Sequence, residues 1–240
     1  PADMKYAAER GHLSVVEWIC ANCPPAHQRA YRSITHAALD YAAAGGHEKV
    51  MEWLHCNTNC SNEDRNPGAT EATETRSKDA MVLAAGNGHL AAVEWLHCNG
   101  LEGCNMDNYA TDLAALGGHL SVIEWLHDNR REGCGELAMD FAVERGHLSI
   151  VEWLHRNMNS DYTGLALGDA ACRGHFSVLE WLAANDWEQF QTALAEFTDH
   201  TNLTELFNTV NRLAGKSCDN VAVLKWLLGT TLSHIPTECC

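Results

Sequence analysis

One short pattern recurs along this chain and constrains what it can fold into. Gly-His pairs begin at Gly11, Gly46, Gly88, Gly118, Gly146 and Gly174, at steps of 35, 42, 30, 28 and 28 residues, and a Trp follows each Gly by seven residues. A period of this size is typical of an array of small units, each of which buries its apolar face only by stacking on its neighbours. The sequence therefore predicts a repeat array.

Each unit has the pattern of two helices joined by a turn. Leu137, Phe141 and Ala142 recur at a helical spacing, and they predict an apolar face on a first helix. Gly146 follows, where a helix commonly ends because glycine enters the left-handed region without strain. The stretch 148–157, "LSIVEWLHRN", has the wide apolar stripe of a second helix buried on two sides. No segment alternates apolar and polar residues for long enough to predict a strand, so the fold class is all-α.

The repeated unit resembles the ankyrin repeat. The stretches "YAAERGHLSVVEWI" from Tyr6, "VLAAGNGHLAAVEWL" from Val82 and "LAALGGHLSVIEWL" from Leu113 match its AAxxGHLxVV portion, and the resemblance covers about residues 2–185. The usual TPLH tetrapeptide is replaced, for example by "LAMD" at 137, and the unit is shorter than usual. It is similar to a short, about 28-residue, GHLxVVEWLH variety of some microbial eukaryotes.

This resemblance implies an ankyrin-like helical solenoid with short loops and a helical C-terminal cap. We expect one array over 1–240, with repeats at about 2–22, 37–57, 79–99, 109–130, 137–157 and 165–185. Residues 57–78 are polar and rich in Thr and Glu, which predicts a flexible, exposed insertion. Residues 186–240 lack the Gly-His signature, as expected of an irregular C-terminal cap with a solvated outer face. The chain opens part-way into a repeat, which favours a segment of a longer protein.

The composition disfavours two classes of partner. The chain has 32 acidic and 16 basic side chains, a formal net charge of -16, which repels nucleic acid and anionic membrane surfaces. A basic or mixed-charge protein or peptide is the better partner. No apolar run is long enough for a membrane span or a signal sequence. The 11 cysteines are an odd number, and reduced thiols in an intracellular, cytoplasmic protein are favoured.

The repeated polar side chains are predicted to be structural. A catalytic site needs one asymmetric constellation, whereas the Gly-His histidines occur once per unit, at a turn where an imidazole can cap backbone or bridge to a neighbouring repeat. The Glu before each Trp is expected on the solvated side of the second helix, where it adds solubility or steers a basic partner. The Trp residues are expected to form a continuous core between repeats, with Trp187 the main exception.

A metal site and an enzyme are the remaining alternatives. The candidate zinc ligands are Cys20, Cys23, His27, His55, Cys56 and Cys60, but no second Cys or His pair stands at zinc-finger spacing. No phosphate-binding glycine loop, GxSxG or HExxH motif occurs. We therefore expect no enzyme activity, no cofactor and no metal.

The predicted function is a protein-protein interaction module, a scaffold or adaptor arm. By resemblance, the partner binds a concave face built from first helices and loops, at positions that vary between repeats. These positions are Lys5, Glu9, Arg10, Asp40, Asn87, Asp112, Leu116, Asp140, Glu144, Arg145 and Arg173, with Ala44, Val82 and Cys172 at equivalent places. The alternative is a structural subunit packed permanently in a larger assembly.

Overall fold

The structure is a computed structural model, and it describes residues 2–22, 28–59, 79–101, 109–130, 135, 137–158 and 160–200. The described residues form helices and turns without a strand, so the all-α prediction is confirmed. The helices are α1 Ala2–Glu9, α2 Leu13–Ala21, α3 Gln28–Ala44, α4 Glu48–Asn59, α5 Ala80–Gly86, α6 Leu90–Cys98, α7 Tyr109–Gly117, α8 Leu120–Asn129, α9 Ala138–Arg145, α10 Leu148–Met158, α11 Gly164–Arg173, α12 Phe176–Asn185 and α13 Trp187–His200.

Six helix pairs, α1/α2 through α11/α12, correspond to the six predicted repeats and are numbered repeats 1 to 6. The chain divides into two compact units, Pro1–Gly135 and Glu136–Cys240, called unit 1 and unit 2. In unit 1 the first helices α1, α3, α5 and α7 pack in succession, and so do the second helices α2, α4, α6 and α8. In unit 2, α9 packs on α11 and α11 on α13, while α10 packs on α12. The single array over 1–240 stays a prediction.

Small side chains allow the first helices to approach closely. Positions are numbered here from the Gly of each Gly-His pair, so that position −4 lies four residues before it. Position −4 is alanine in all six repeats and is buried in each, at Ala7, Ala42, Ala84, Ala114, Ala142 and Ala170. Val, Ile, Leu and Met side chains at other positions complete the core. Removing this apolar surface from water stabilises each unit by about 25 cal/mol per Å².

The turn after each first helix is a Schellman motif, whose left-handed residue is the Gly of the Gly-His pair. Gly11 has φ of 72° and donates its N–H to the Ala8 oxygen at 3.1 Å, while the His12 N–H reaches the Ala7 oxygen at 2.8 Å. These two bonds satisfy carbonyl groups that the end of a helix otherwise leaves without partners. The same pair of bonds recurs at the other five Gly-His turns, as the sequence predicted.

An asparagine ends each second helix in a repeated way. The side-chain amide donates from Nδ2 to the main-chain oxygen of the Trp four residues earlier, over 2.7 to 2.9 Å. The six residues are Asn22, Asn57, Asn99, Asn129, Asn157 and Asn185. The bond satisfies one of the last carbonyl groups of the helix.

Three predicted segments differ from the structure or extend beyond the described residues. Helix α3 begins at Gln28 and not near residue 37, because the added segment between repeats 1 and 2 continues the helix. Of the predicted insertion 57–78, only 57–59 are described, and they end α4; the rest lies outside the described residues. In the predicted cap 186–240, α13 is described, and 201–240 lie outside.

Candidate functional site

Within each unit, the histidine of a Gly-His pair contacts the preceding repeat where that unit contains one. The Nε2 atom of His47 lies 2.9 Å from the main-chain oxygen of Glu9 in repeat 1. With Nε2 protonated, the ring donates this hydrogen bond and is fixed over the turn of the preceding repeat. The His47 ring lies so close to Gly11 that a Cβ added there would be 2.6 Å from Nδ1. Bridging to the neighbouring repeat, one of the two predicted roles, is therefore observed for His47.

In three further pairs the imidazole ring also lies against the left-handed Gly of the preceding repeat: His89 against Gly46, His119 against Gly88 and His175 against Gly146. Four of the Gly-His histidines, His12, His89, His119 and His175, are the N-cap residues of second helices. Their imidazoles make no capping hydrogen bond to the helix that follows. Burial lowers the pKa of His175 from its ordinary value, and the charges of Arg173 and His147 add to the effect. A ring that is favoured in its neutral form suits this structural role.

The tryptophans lie at the rim of the repeat interface and not in its core. Trp95 and Trp125 are partly exposed, and each meets a histidine of the preceding repeat edge to face. The ring centroids of His55 and Trp95 are 5.6 Å apart, and those of His97 and Trp125 are 5.2 Å apart. The prediction of a tryptophan core was wrong because the interior is filled by Ala and branched aliphatic side chains, which leave no room for an indole.

Position −6, which the resemblance assigned to the partner surface, is an acid in three repeats, and in two of them the carboxylate contacts the residue 23 positions later in the sequence. Asp140 accepts hydrogen bonds from Thr163 N at 2.7 Å and Thr163 Oγ1 at 3.0 Å. Asp112 is only 4 % exposed, and its carboxylate lies against Gly135, which is equivalent to Thr163. Asp40 is partly buried at the same position. Burial raises the pKa of Asp140, and its bonds to Thr163 oppose that rise.

Three other predicted residues of unit 2 form an exposed ion-pair group. Arg173 Nη2 lies 2.7 Å from Glu144 Oε1, and Arg145 Nε lies 3.4 Å from the same oxygen. Arg173 Nη1 also donates to the Glu144 main-chain oxygen at 3.4 Å. Surface ion pairs of this kind contribute about 0 to 1 kcal/mol to stability. All three side chains keep part of their surface exposed, so their charges are accessible to a partner.

The predicted residues of unit 1 lie beside aromatic and helix-end groups. Arg10 lies over the ring of Tyr6, with its guanidinium carbon 5.4 Å from the ring centroid, and Lys5 Nζ lies 5.2 Å from the centroid of Tyr41. Asn87 donates from Nδ2 to the Leu83 oxygen at 3.0 Å. Glu9 is exposed and Leu116 is partly exposed.

A stripe of apolar residues on the first helices was missed by the sequence reading. Position −5 carries Tyr6, Tyr41, Leu83 and Leu113 in unit 1, and Tyr109 lies one turn before Leu113; we name these five residues the first-helix stripe. Tyr6 is 58 % and Tyr109 44 % exposed, and the other three are partly exposed. From the sequence alone, these residues have the spacing of a buried apolar helix face. The constant alanine at position −4 is the signal that could have distinguished them, because that alanine makes the core contact.

In unit 2, the predicted buried face of α9 was also wrong in part. Leu137, Phe141 and Ala142 were predicted to form one buried face of α9, but Leu137 is 43 % exposed and Phe141 is partly exposed. Only Ala142 of the three is buried. The helix is therefore buried along its −4 and −3 positions, and its −9 and −5 positions face outward.

Acidic side chains dominate the exposed surface of unit 1. The exposed carboxylates are Asp3, Glu9, Glu17, Glu48, Glu52, Asp79, Glu94, Glu124 and Asp128, and among the residues of the unit whose side-chain exposure is described the exposed cations are Arg10 and Lys49. The glutamates before each Trp are exposed in unit 1, as predicted. This distribution gives the unit a negative potential that attracts cationic partners.

The described residues hold no group of three or more His, Cys, Asp or Glu side chains placed to bind a metal ion. Of the zinc candidates considered from the sequence, Cys23, His27 and Cys60 lie outside the described residues. In the described part of the chain no helix is long and apolar enough to cross a membrane.

The family profile described as "Ankyrin repeats (many copies)" matches residues 80–127 and 111–155. Residues 80–155 of the chain are ankyrin repeats. The matched ranges cover α5 to most of α10, including three of the six Gly-His turns, at Gly88, Gly118 and Gly146, and the position −4 alanines of the same repeats. Ankyrin repeats are in general protein-protein interaction modules and typically act without catalysis. No curated protein is significantly similar to the chain.

Proposed function

We propose that this chain is an ankyrin-repeat binding module whose partner is a basic or mixed-charge protein or peptide, held on the first-helix stripe. The observation that carries the proposal is that Tyr6 and Tyr109 are exposed, and Tyr41, Leu83 and Leu113 partly exposed, on first helices that pack in succession. Aromatic and aliphatic side chains that stay accessible beside charged groups are typical anchors of a protein interface.

Stripe residues of consecutive repeats lie close to one another's first helices. A Cβ added at Gly86 of α5 would lie 3.1 Å from the Leu113 Cβ of α7. Lys5 of α1 reaches the ring of Tyr41 of α3. These contacts support a surface that continues from one first helix to the next, so that an extended partner can contact several repeats at once.

Charge complementarity supports a cationic partner. The exposed carboxylates of unit 1 outnumber its exposed cations in the described residues, and the whole chain has a net charge of -16. Complementary charge raises the association rate and selects between partners more than it raises affinity. The apolar stripe is then expected to supply most of the affinity, and the carboxylates most of the selectivity.

The proposed contact residues at the edge of the stripe are Lys5, Glu9, Arg10, Asn87 and Leu116. In unit 2 the equivalent group is Glu144, Arg145 and Arg173. Three acids at position −6 are left out of the contact surface: Asp140, which accepts hydrogen bonds from Thr163, Asp112, which is buried, and Asp40.

The test begins with proteins recovered from a native extract on the immobilised chain, each then purified and measured by calorimetry. The double variant Tyr6→Ser with Tyr109→Ser removes two exposed rings of the stripe and is expected to weaken binding at least about tenfold, since hot-spot losses reach 2 kcal/mol or more. The control is Val15→Ser on α2, where the exposed fraction is 43 % against 44 % at Tyr109.

The control is expected to bind within about twofold of the unmodified chain. Circular dichroism establishes that each variant is folded. Binding that survives the stripe variant and is lost in the Val15 variant would place the interface on the second helices and contradict the proposal.

A further inference from the structure

The second helix of repeat 1 exposes residues that are buried in every other repeat. Val15 is 43 % exposed, whereas the equivalent residues Val50, Ala92, Val122, Ile150 and Val178 are at most 1 % exposed. Ile19 is partly exposed, whereas the leucines at its position are buried. Trp18 is 66 % exposed, and His12 is exposed. We name His12, Val15, Trp18 and Ile19 the open face.

Within unit 1, the preceding repeat covers this face in the later repeats. The ring of His47, equivalent to His12, lies on Gly11 and reaches the Glu9 oxygen of repeat 1. The ring of Trp95, equivalent to Trp18, meets His55 of repeat 2 edge to face. In unit 1 the acceptor half of each interface therefore contains a left-handed Gly. Repeat 1 adds the Glu9 oxygen, and repeats 2 and 3 add the histidine near the end of the second helix, a position that is Cys20 in repeat 1.

In unit 2, the last repeat is covered in a different manner. Helix α13 packs on α11 and α12. It buries Phe190, Ala193 and Leu194 and exposes Glu188 and Glu196. A terminal element of an array is expected to have such a polar outer side. Repeat 1 has no such element among the described residues, and its open face keeps the apolar residues of an internal repeat.

We propose that the open face is one half of an inter-repeat interface, and that its occupant is a helical hairpin of the same repeat type from outside residues 1–240. The occupant places a left-handed Gly under the His12 ring, a main-chain oxygen near His12 Nε2, and a helix-terminal His against the Trp18 ring. The first-helix stripe of the proposed function does not take part, so either proposal stands if the other fails.

One residue of repeat 1 departs from the internal pattern. Asp3 is exposed at position −8, where the other five repeats have a buried alanine, such as Ala38 and Ala80. A carboxylate buried there without a partner would oppose docking. The test therefore uses a chain with Asp3→Ala, compared with and without an added repeat.

The probe is the chain's own third repeat, residues 79–108, joined directly before Ala2 in place of Pro1. This junction keeps the 30-residue step that separates Gly88 from Gly118. The added repeat is expected to raise Tm by about 4 °C or more and to slow hydrogen exchange of the α2 amides at least about tenfold. The matched control carries His97→Ala in the added copy alone, and it is expected to show a smaller rise in Tm.

An unchanged Tm together with unchanged exchange in α2 would overturn the proposal, since an added repeat that cannot dock leaves the face open. Sedimentation of the chain without the added repeat provides the second test, with a monomer as the expected result. A dimer that Val15→Glu dissociates would also overturn the proposal, because a second copy would then be the occupant.

Discussion

His47 Nε2 and the main-chain oxygen of Glu9 lie 2.9 Å apart, although 38 residues separate them in sequence. This hydrogen bond fastens the turn of one repeat to the end of the first helix of the preceding repeat. The residue that most resembles a catalytic group in each repeat thus serves the stacking of the array.

We predict that His47→Ala lowers the free energy of unfolding by about 1 to 2 kcal/mol, because a bridging hydrogen bond and a packed ring are both lost. Urea denaturation followed by circular dichroism measures the loss. The control is His12→Ala at the same position of repeat 1, where the side chain is exposed and the expected change is below about 0.5 kcal/mol. Equal losses in the two variants would show that the ring acts only within its own turn.

Gly46 tests the close approach of the imidazole. Its φ is 69°, and an added Cβ would be 2.5 Å from His89 Nδ1. Gly100 has a φ of 64° but nothing within 4 Å of an added Cβ. Alanine at either position costs about 1 to 2 kcal/mol for the left-handed backbone. Gly46→Ala is expected to cost at least about 1 kcal/mol more than Gly100→Ala in urea denaturation, and equal costs would contradict this ring-on-glycine contact.

The position of the tryptophans predicts unequal effects. Trp95 is partly buried against His55, whereas Trp18 is mostly exposed. Trp95→Ala is expected to cost about 2 kcal/mol and Trp18→Ala less than about 1 kcal/mol, measured by thermal or urea unfolding. A loss of about 3 to 5 kcal/mol in the free energy of unfolding at both positions would contradict this and support the tryptophan core predicted from the sequence.

Tyr162 is buried, and its hydroxyl has no hydrogen-bond partner among the described residues. Burial raises the pKa of Tyr162 well above its ordinary value, with Asp186 and Asp161 adding to the rise. We predict that Tyr162→Phe leaves stability unchanged or raises it by up to about 1 kcal/mol, since a desolvated hydroxyl is removed without loss of packing. A loss above about 1 kcal/mol in the same unfolding assay would reveal a partner for this hydroxyl.

The local features of the repeats could be predicted from the sequence, because they depend on neighbours a few residues away. The end of α9 at Gly146, the restart at Leu148 and the all-α class follow from backbone preference and helical spacing. Bridging by the Gly-His histidine was one of two expected roles, but contacts of the position −6 acids with residues far along the chain could not be predicted. Asp112 and Asp140 vary between repeats like surface residues, yet Asp140 accepts a hydrogen bond from Thr163 N and Asp112 lies against Gly135.

The stripe was missed for the same physical reason. Tyr41 and Leu83 have the helical spacing of core residues, and only the packed first helices show that the alanine at position −4 fills the interior in their place. Aromatic size suggested that Trp95 and Trp125 form the core, but a stack of closely approaching first helices is built from small side chains. Periodicity alone does not distinguish a buried helix face from an exposed one.

The measurement that tests the proposed binding surface most directly is hydrogen exchange of the chain with and without a partner recovered on it. We predict that a bound partner slows amide hydrogen exchange in α1, α3, α5 and α7, at and beside the first-helix stripe, with little change in α2, α4, α6 and α8. Protection confined to the second helices, around Glu17, Glu52, Glu94 and Glu124, would contradict it.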